Sequence, residues 1–175
     1  MPKPVFITRS APRLTLQGAR LVLAAASRRA AALGVPMDLA VVDDAGHLLA
    51  FNRMDGAKLS SIDIAISKAW TAACTRRGTH EYAEIAGPGK PAFGINVGNA
   101  GRFMIVGGGL PIMFSGHVVG GIGCSSGTAA QDREAAGAGI HALLARARPR
   151  LVRRAPRSGG RRGARHAPVP RLRRV

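Results

Sequence analysis

Acidic residues are scarce in this chain. Of 175 residues, 26 are lysine or arginine and only 9 are aspartate or glutamate, giving a formal net charge of +17. Aromatic residues are also few, at 4%. Alanine, valine, leucine and isoleucine must therefore build the core. The two cysteines, Cys74 and Cys124, set up neither a disulfide framework nor metal-ligand spacing, and their apolar surroundings read as buried thiols. There is no CxxCH signature, which excludes covalent haem. There is no GxxxxGK[ST] frame, so the glycine run 107–109 is not a phosphate loop. No apolar run is long enough to cross a bilayer. Met1 to Gln17 lacks an apolar h-region and a cleavage signature, so a reducing cytoplasm is the expected compartment.

The positive charge is unevenly placed. From Arg146 onward there are 12 arginines and no acidic residue, so the first 145 residues hold 14 basic against 9 acidic groups, a net of +5. Residues 146–175 combine arginine, proline, alanine and glycine with few larger apolar side chains. Such a composition predicts a disordered tail. It lacks interleaved aromatics, so any nucleic-acid contact through it is non-specific. A frame-shifted read of a GC-rich gene gives this same composition and is the alternative to a functional tail.

The length fits one domain with a real core. Residues 1–13, with Pro2, Pro4 and Pro12, read as an irregular arm. Thr15 is placed to cap a helix reaching about Leu33. Met37–Val42 and His47–Arg53 read as a hairpin around an Asp-Ala-Gly turn. A helix follows over Ser60–Arg77, stopped by Gly78, and Thr79 is placed to cap a shorter one. A glycine-rich loop then runs to Gly101, touching a short strand near Phe93–Asn96. Arg102–Val106, Leu110–Phe114 and His117–Gly123 read as three strands. Thr128 with Gln131 forms a capping box for a last helix reaching about Ala145. No strand–helix–strand alternation recurs, so the fold class is α+β with an antiparallel sheet.

Several residue types in this frame can carry chemistry. Asp55 and Asp63 flank a strand-to-helix junction, where paired carboxylates can divide acid and base roles. The plainer reading is a turn aspartate and a helix N-terminal aspartate. Lys68, set among Ala69, Ala72 and Ala73, can bind an anionic carboxylate or reach solvent along its stem. Thr71 can bond to a ligand or back to its own helix. Gly108 and Gly109 permit close backbone approach, either to a ligand or within a turn. Gly120, Gly121 and Gly123 inside a strand fit packing against a helix. Of the five histidines (His47, His80, His117, His141 and His166), His80 is the best candidate for haem iron, because it follows the Gly78 break.

An ordered set of blocks goes further. Val41-Val42-Asp43 with Gly46-His47 comes first, then Arg53-Met54-Asp55-Gly56-Ala57 and Ser60 to Ala69. Thr79-His80-Glu81, Gly107-Gly108-Gly109-Leu110-Pro111, Gly120 to Gly123, and Ser126-Gly127-Thr128 with Gln131-Asp132 follow. Over residues 14 to 145 this set resembles the GlcG/HbpS family, the haem-degrading domain also found at the C-terminus of PduO-type proteins. The resemblance implies a profilin-like α-β-α sandwich with a five-stranded antiparallel sheet. It implies non-covalent binding of haem or a related tetrapyrrole, with cobalamin less favoured. It also implies homo-oligomers from dimer to octamer. It places the ligand near Met54, Asp55, Gly56, Lys68, Thr71, Thr79, His80, Glu81, Gly108 and Gly109, with Thr79 or His80 toward the iron. The alternative it leaves open is an enzyme acting on a small oxyacid, with Asp55, Asp63 and Lys68 moving protons.

Overall fold

The computed structural model describes residues 11–147. The disordered-tail expectation for 148–175 and most of the expected arm lie outside them; Arg146 and Ala147 belong to the last helix instead of a tail. The elements are α1 (Leu16–Ala32), β1 (Asp38–Asp43), β2 (Leu48–Arg53), α2 (Ser61–Thr75), α3 (Thr79–Ile85), β3 (Gly109–Phe114), β4 (His117–Ser125) and α4 (Ala129–Ala147).

The strands form an antiparallel sheet in the order β2-β1-β4-β3. The α+β expectation holds, with four strands among the described residues and not five. The expected strand Arg102–Val106 does not form, for a local reason. The Thr71 hydroxyl on α2 accepts the Met104 N–H at 2.9 Å and donates to the Arg102 carbonyl at 3.4 Å. A helix side chain therefore satisfies the backbone groups that a neighbouring strand would have used. The expected strand near Phe93 is likewise replaced, by two short 3₁₀ turns over Ile95–Val97 and Asn99–Gly101.

The chain forms three layers. Strand alternation sends Leu39 and Val41 to one face, where they join Val22, Leu23 and Ala26 of α1 and Ala135 and Ala136 of α4. It sends Ala40 and Val42 to the other, against Ala65, Ala69 and Ala73 of α2. Alanine is the small currency of this second interface, and glycine answers it from β4. A Cβ on Gly123 would lie 2.6 Å from the Ala69 nitrogen, so α2 rests on bare backbone there. The turns follow their residues. Thr15 caps α1 through a 3.1 Å bond from the Gly18 N–H. Ser115 and Gly116, with φ of 49° and 79°, make the two-residue β3–β4 turn. Arg76, at φ 59°, closes α2, and Gly78 serves as the N-cap of α3 where Thr79 was expected.

Candidate functional site

Lys68 is the largest fully buried side chain among the described residues. A lysine in that position needs a counter-charge, and α4 supplies it. Lys68 Nζ donates to Asp132 Oδ2 at 2.8 Å and to the Cys124 carbonyl at 3.0 Å, with both side chains 2% exposed. Asp132 Oδ1 accepts the Gly127 N–H at 3.0 Å. The ammonium and the carboxylate therefore answer each other. The expectation that Lys68 receives a ligand's carboxylate is corrected: the carboxylate is the protein's own. Beside them, burial pushes the Cys124 thiol well above its usual range. Asp132 adds to that rise and Lys68 opposes it.

The glycine run 107–109 makes room for this tie. Gly108 has φ of 124°, and a Cβ there would sit 2.7 Å from Asp132 Cβ and 2.8 Å from Lys68 Nζ. On Gly109 it would sit 2.6 Å from Thr79 Cγ2. Both glycines face protein, so their smallness serves packing.

Thr79 and His80 differ in their freedom. Thr79 is fully buried, and its hydroxyl accepts the Gly109 N–H at 2.9 Å. Glu81 accepts the Gly78 N–H at 2.7 Å and so caps α3. Thr79 is closed to a ligand in this arrangement, while Glu81 is partly exposed with one carboxylate oxygen engaged. His80 is half-buried, and its Nδ1 lies shielded against Gly78 with no hydrogen-bond partner. Gly107 lies close to its Cβ: a Cβ on Gly107 would sit 3.3 Å from it and 3.2 Å from the Cβ of Ala129. Val106, next to Gly107, is 51% exposed.

The remaining expected site residues are scattered. Met54 is half-buried and packs on the α1/α4 side of the core, with its sulfur accepting the Met37 N–H at 3.5 Å. Asp55 and Gly56 are exposed in the turn after β2. Asp63 is exposed and lines a groove of about 500 Å³ with Ile66, Ser67, Asn99, Arg102 and Met104. Five positions along a helix is a rotation of about 140° from one residue to the other, so Asp63 and Lys68 cannot share a face. Thr71 holds the wall of that groove through its two bonds to residues 102 and 104. Asp55, Asp63 and Lys68 thus do not converge. Sequence reasoning missed two buried acids, Asp132 and Asp38. The first had a readable signal, since a lysine on an alanine-lined helix face demands an acid.

A family model described as haem degrading protein HbpS-like matches residues 14–141. The chain belongs to this HbpS-like family. An uncharacterized 15.0 kDa protein of the Citrobacter freundii dhaT-dhaS intergenic region is 42% identical over 120 residues, covering 69% of this chain and 84% of that one. Protein GlcG of Escherichia coli K12 is 37% identical over 112 residues, covering 64% and 81%. The chain spans only 35% of the Salmonella typhimurium corrinoid adenosyltransferase PduO, at 35% identity. Among solved structures, the Klebsiella pneumoniae protein ORFY superposes with a TM-score of 0.79 at 35% identity, covering 82% of this chain and 99% of that one. A PduOC–haem complex gives 0.72 at 33%, covering 75% and 95%.

The HbpS-like residues of this chain can be tested against haem on their own geometry. A side chain that ligates iron must have an atom not already spent inside the protein. The Thr79 hydroxyl accepts the Gly109 N–H and is fully buried, out of reach of a ligand. The His80 imidazole makes no protein hydrogen bond among the described residues, and with Nδ1 closed off against Gly78 the atom left to meet iron is Nε2. His80 fits, and Thr79 does not.

Proposed function

We propose that the protein binds haem, or a closely related tetrapyrrole, non-covalently, with His80 supplying the iron ligand. The observation that carries this reading is the uncommitted His80 ring, held at the start of α3 beside exposed Val106. Two further side chains of the same connecting segment, Phe93 and Val97, are 67% and 76% exposed and offer apolar surface to a flat macrocycle. Support from outside the chain comes from the PduOC–haem complex, which shares the fold at 33% identity. Cobalamin is the weaker choice, because its support is the name of the PduO relatives, of which this chain spans 35% and 40%. Bound haem would supply an iron centre; the protein's part is to present the imidazole and to cover an apolar face. Proton transfer by Asp55, Asp63 and Lys68 has no observation in its favour, since Lys68 is sealed against Asp132.

Haemin titration followed through the Soret band tests this reading. The wild-type chain is expected to bind, and His80→Ala to shift the band and weaken binding tenfold or more, about 1.4 kcal/mol. Thr79→Ser, which keeps the bond to Gly109, is expected to bind as the wild type does. A folded His80→Ala variant with unchanged band position and affinity overturns the assignment of His80.

A further inference from the structure

The two edges of the sheet are built differently. The Met54 N–H bonds to the Met37 carbonyl at 3.1 Å, so the alternation of an antiparallel ladder makes Leu39 with Asn52 and Val41 with Ala50 the hydrogen-bonded pairs of β1 and β2. Asp38 with Arg53 and Ala40 with Phe51 are the pairs between them. The N–H and C=O groups of Phe51 and Arg53 therefore point away from β1, where no further strand lies among the described residues. By the same count Gly109 and Pro111 are the outward positions of β3. There the Gly109 N–H is taken by the Thr79 hydroxyl, and proline has no N–H. β2 carries neither proline nor lysine, the usual guards of an open edge. Its bulge at Leu49 leaves residues 50–54 regular.

We propose that β2 is where two copies of this chain join, strand against antiparallel strand, about a two-fold axis at Asn52. In this register each Phe51 lies opposite the partner's Arg53, and the two residues exchange both of their open backbone bonds. The side chains agree with the backbone. Phe51 and Arg53 share the parity of Ala40, which faces α2. On that side each guanidinium meets the partner's ring and not the partner's guanidinium. On the α1 side Asn52 meets its own copy, and an amide brings both a donor and an acceptor to that meeting. Phe51 is only half-buried, beside Ile66, so the partner strand completes its cover.

The helix layer fits the same axis. α1 rests on β1 and β2 together. Two strand spacings therefore separate it from the partner's α1, about 10 Å, which is the distance of a packed helix pair. A groove of about 490 Å³ is open on that side, lined by Leu16, Arg20 and Ala24 of α1 and by Leu49, Ala50 and Asn52 of β2. Leu16 is 45% exposed there, and Ala24 leaves room for a second helix. A second copy is favoured over a foreign strand because this edge is complementary to itself. Two-fold pairing also uses up both open edges, and with β3 guarded the sheet closes as a pair instead of growing further. The helix that carries His80, α3, packs by β3 at the opposite edge, so joining at β2 leaves it uncovered.

Analytical ultracentrifugation of the full chain tests the joint, with Phe51→Lys and Phe51→Glu as variants. Both lose the same ring. The lysine meets the partner's Arg53 as a like charge, and the glutamate meets it as an opposite one. Phe51→Lys is therefore expected to associate at least tenfold more weakly than Phe51→Glu. Met113→Lys, on β3 and 41% exposed in the wild type, is expected to associate as the wild type does. Equal association of the two Phe51 variants overturns the proposal, and so does a chain that Met113→Lys dissociates and Phe51→Lys does not. A wild type that stays monomeric at about 100 μM overturns it too, and leaves the edge to an extended strand of another protein. Should the Phe51 variants not fold, hydrogen exchange of the wild type decides. The Phe51 and Arg53 amides are expected to be protected in the associated chain and to lose that protection on dilution, and free exchange in the associated chain overturns the proposal.

Discussion

Lys68 and Asp132 join the two helical layers of the sandwich past the end of the sheet, at 2.8 Å and out of reach of solvent. Lys68 comes from α2 on one face, and Asp132 from the first turn of α4 on the other. The tie passes where Gly108 leaves no side chain in the way. Its third member, the Cys124 carbonyl, belongs to β4, the strand between the layers. One ammonium thus fixes α2, β4 and α4 relative to one another. In a fold whose α2 interface is built from alanine and glycine, little other side-chain bulk is available for that task.

Breaking this tie from one side should cost more than removing it whole. Lys68→Met leaves the Asp132 carboxylate buried without its cation, and a loss of about 3–5 kcal/mol is expected. Lys68→Met combined with Asp132→Leu removes both charges and should recover most of that loss. Urea unfolding of the wild type and the two variants checks this. Equal losses in the single and double variants would mean that packing, not charge, accounts for the effect.

The close approach of β4 to α2 makes a second expectation. Gly123→Ala places a Cβ 2.6 Å from the Ala69 nitrogen and 3.0 Å from Lys68 Cβ. Helix backbone cannot step aside as a side chain can, so overpacking of about 1–3 kcal/mol is expected. Gly137→Ala is the control, because nothing lies within 4 Å of the added carbon in the middle of α4. That change should stabilise the chain by about 0.5–1 kcal/mol. Thermal unfolding of both variants decides, and a neutral Gly123→Ala would mean that the layers are looser than the packing implies.

Much of this fold was legible because its elements carry their own punctuation. Thr15, Gly34 and the Ser115-Gly116 turn each mark an end by backbone chemistry that needs no tertiary information. The packing role of Gly121 and Gly123 was also readable, since bare glycine inside a strand points to a close neighbour. The fifth strand failed because Arg102–Val106 has the right residues for pairing, while its pairing partner is a threonine 31 positions earlier. No local pattern shows that. The site suffered in the same way. Asp63 and Lys68 read as neighbours in sequence, but they lie on different sides of α2. Asp38 sat inside an apolar strand pattern with no signal to separate it from an exposed strand end.

Thr71 gives the last expectation, because it converts one hydroxyl into the shape of a loop. It is fully buried, and its oxygen holds both the Met104 N–H and the Arg102 carbonyl. Arg102 then reaches back, donating to the Gly46 carbonyl at 3.3 Å and lying over the Trp70 ring at 4.9 Å. Asn99 and Ala100, at φ of 54° and 55°, are strained residues that such anchoring keeps in place. Thr71→Val preserves volume and removes the hydroxyl, leaving the Met104 N–H unpaired at a cost of about 1–3 kcal/mol. The loss should be local first: faster exchange at Met104, and a red-shifted emission as Arg102 leaves the chain's single tryptophan, Trp70. Since the same segment walls the groove beside Asp63, that groove should lose its shape with it. Wild-type exchange and emission in Thr71→Val would show that the segment keeps its path through Phe103, which packs edge-on against Tyr82 with ring centroids 4.8 Å apart, and that the hydroxyl is incidental.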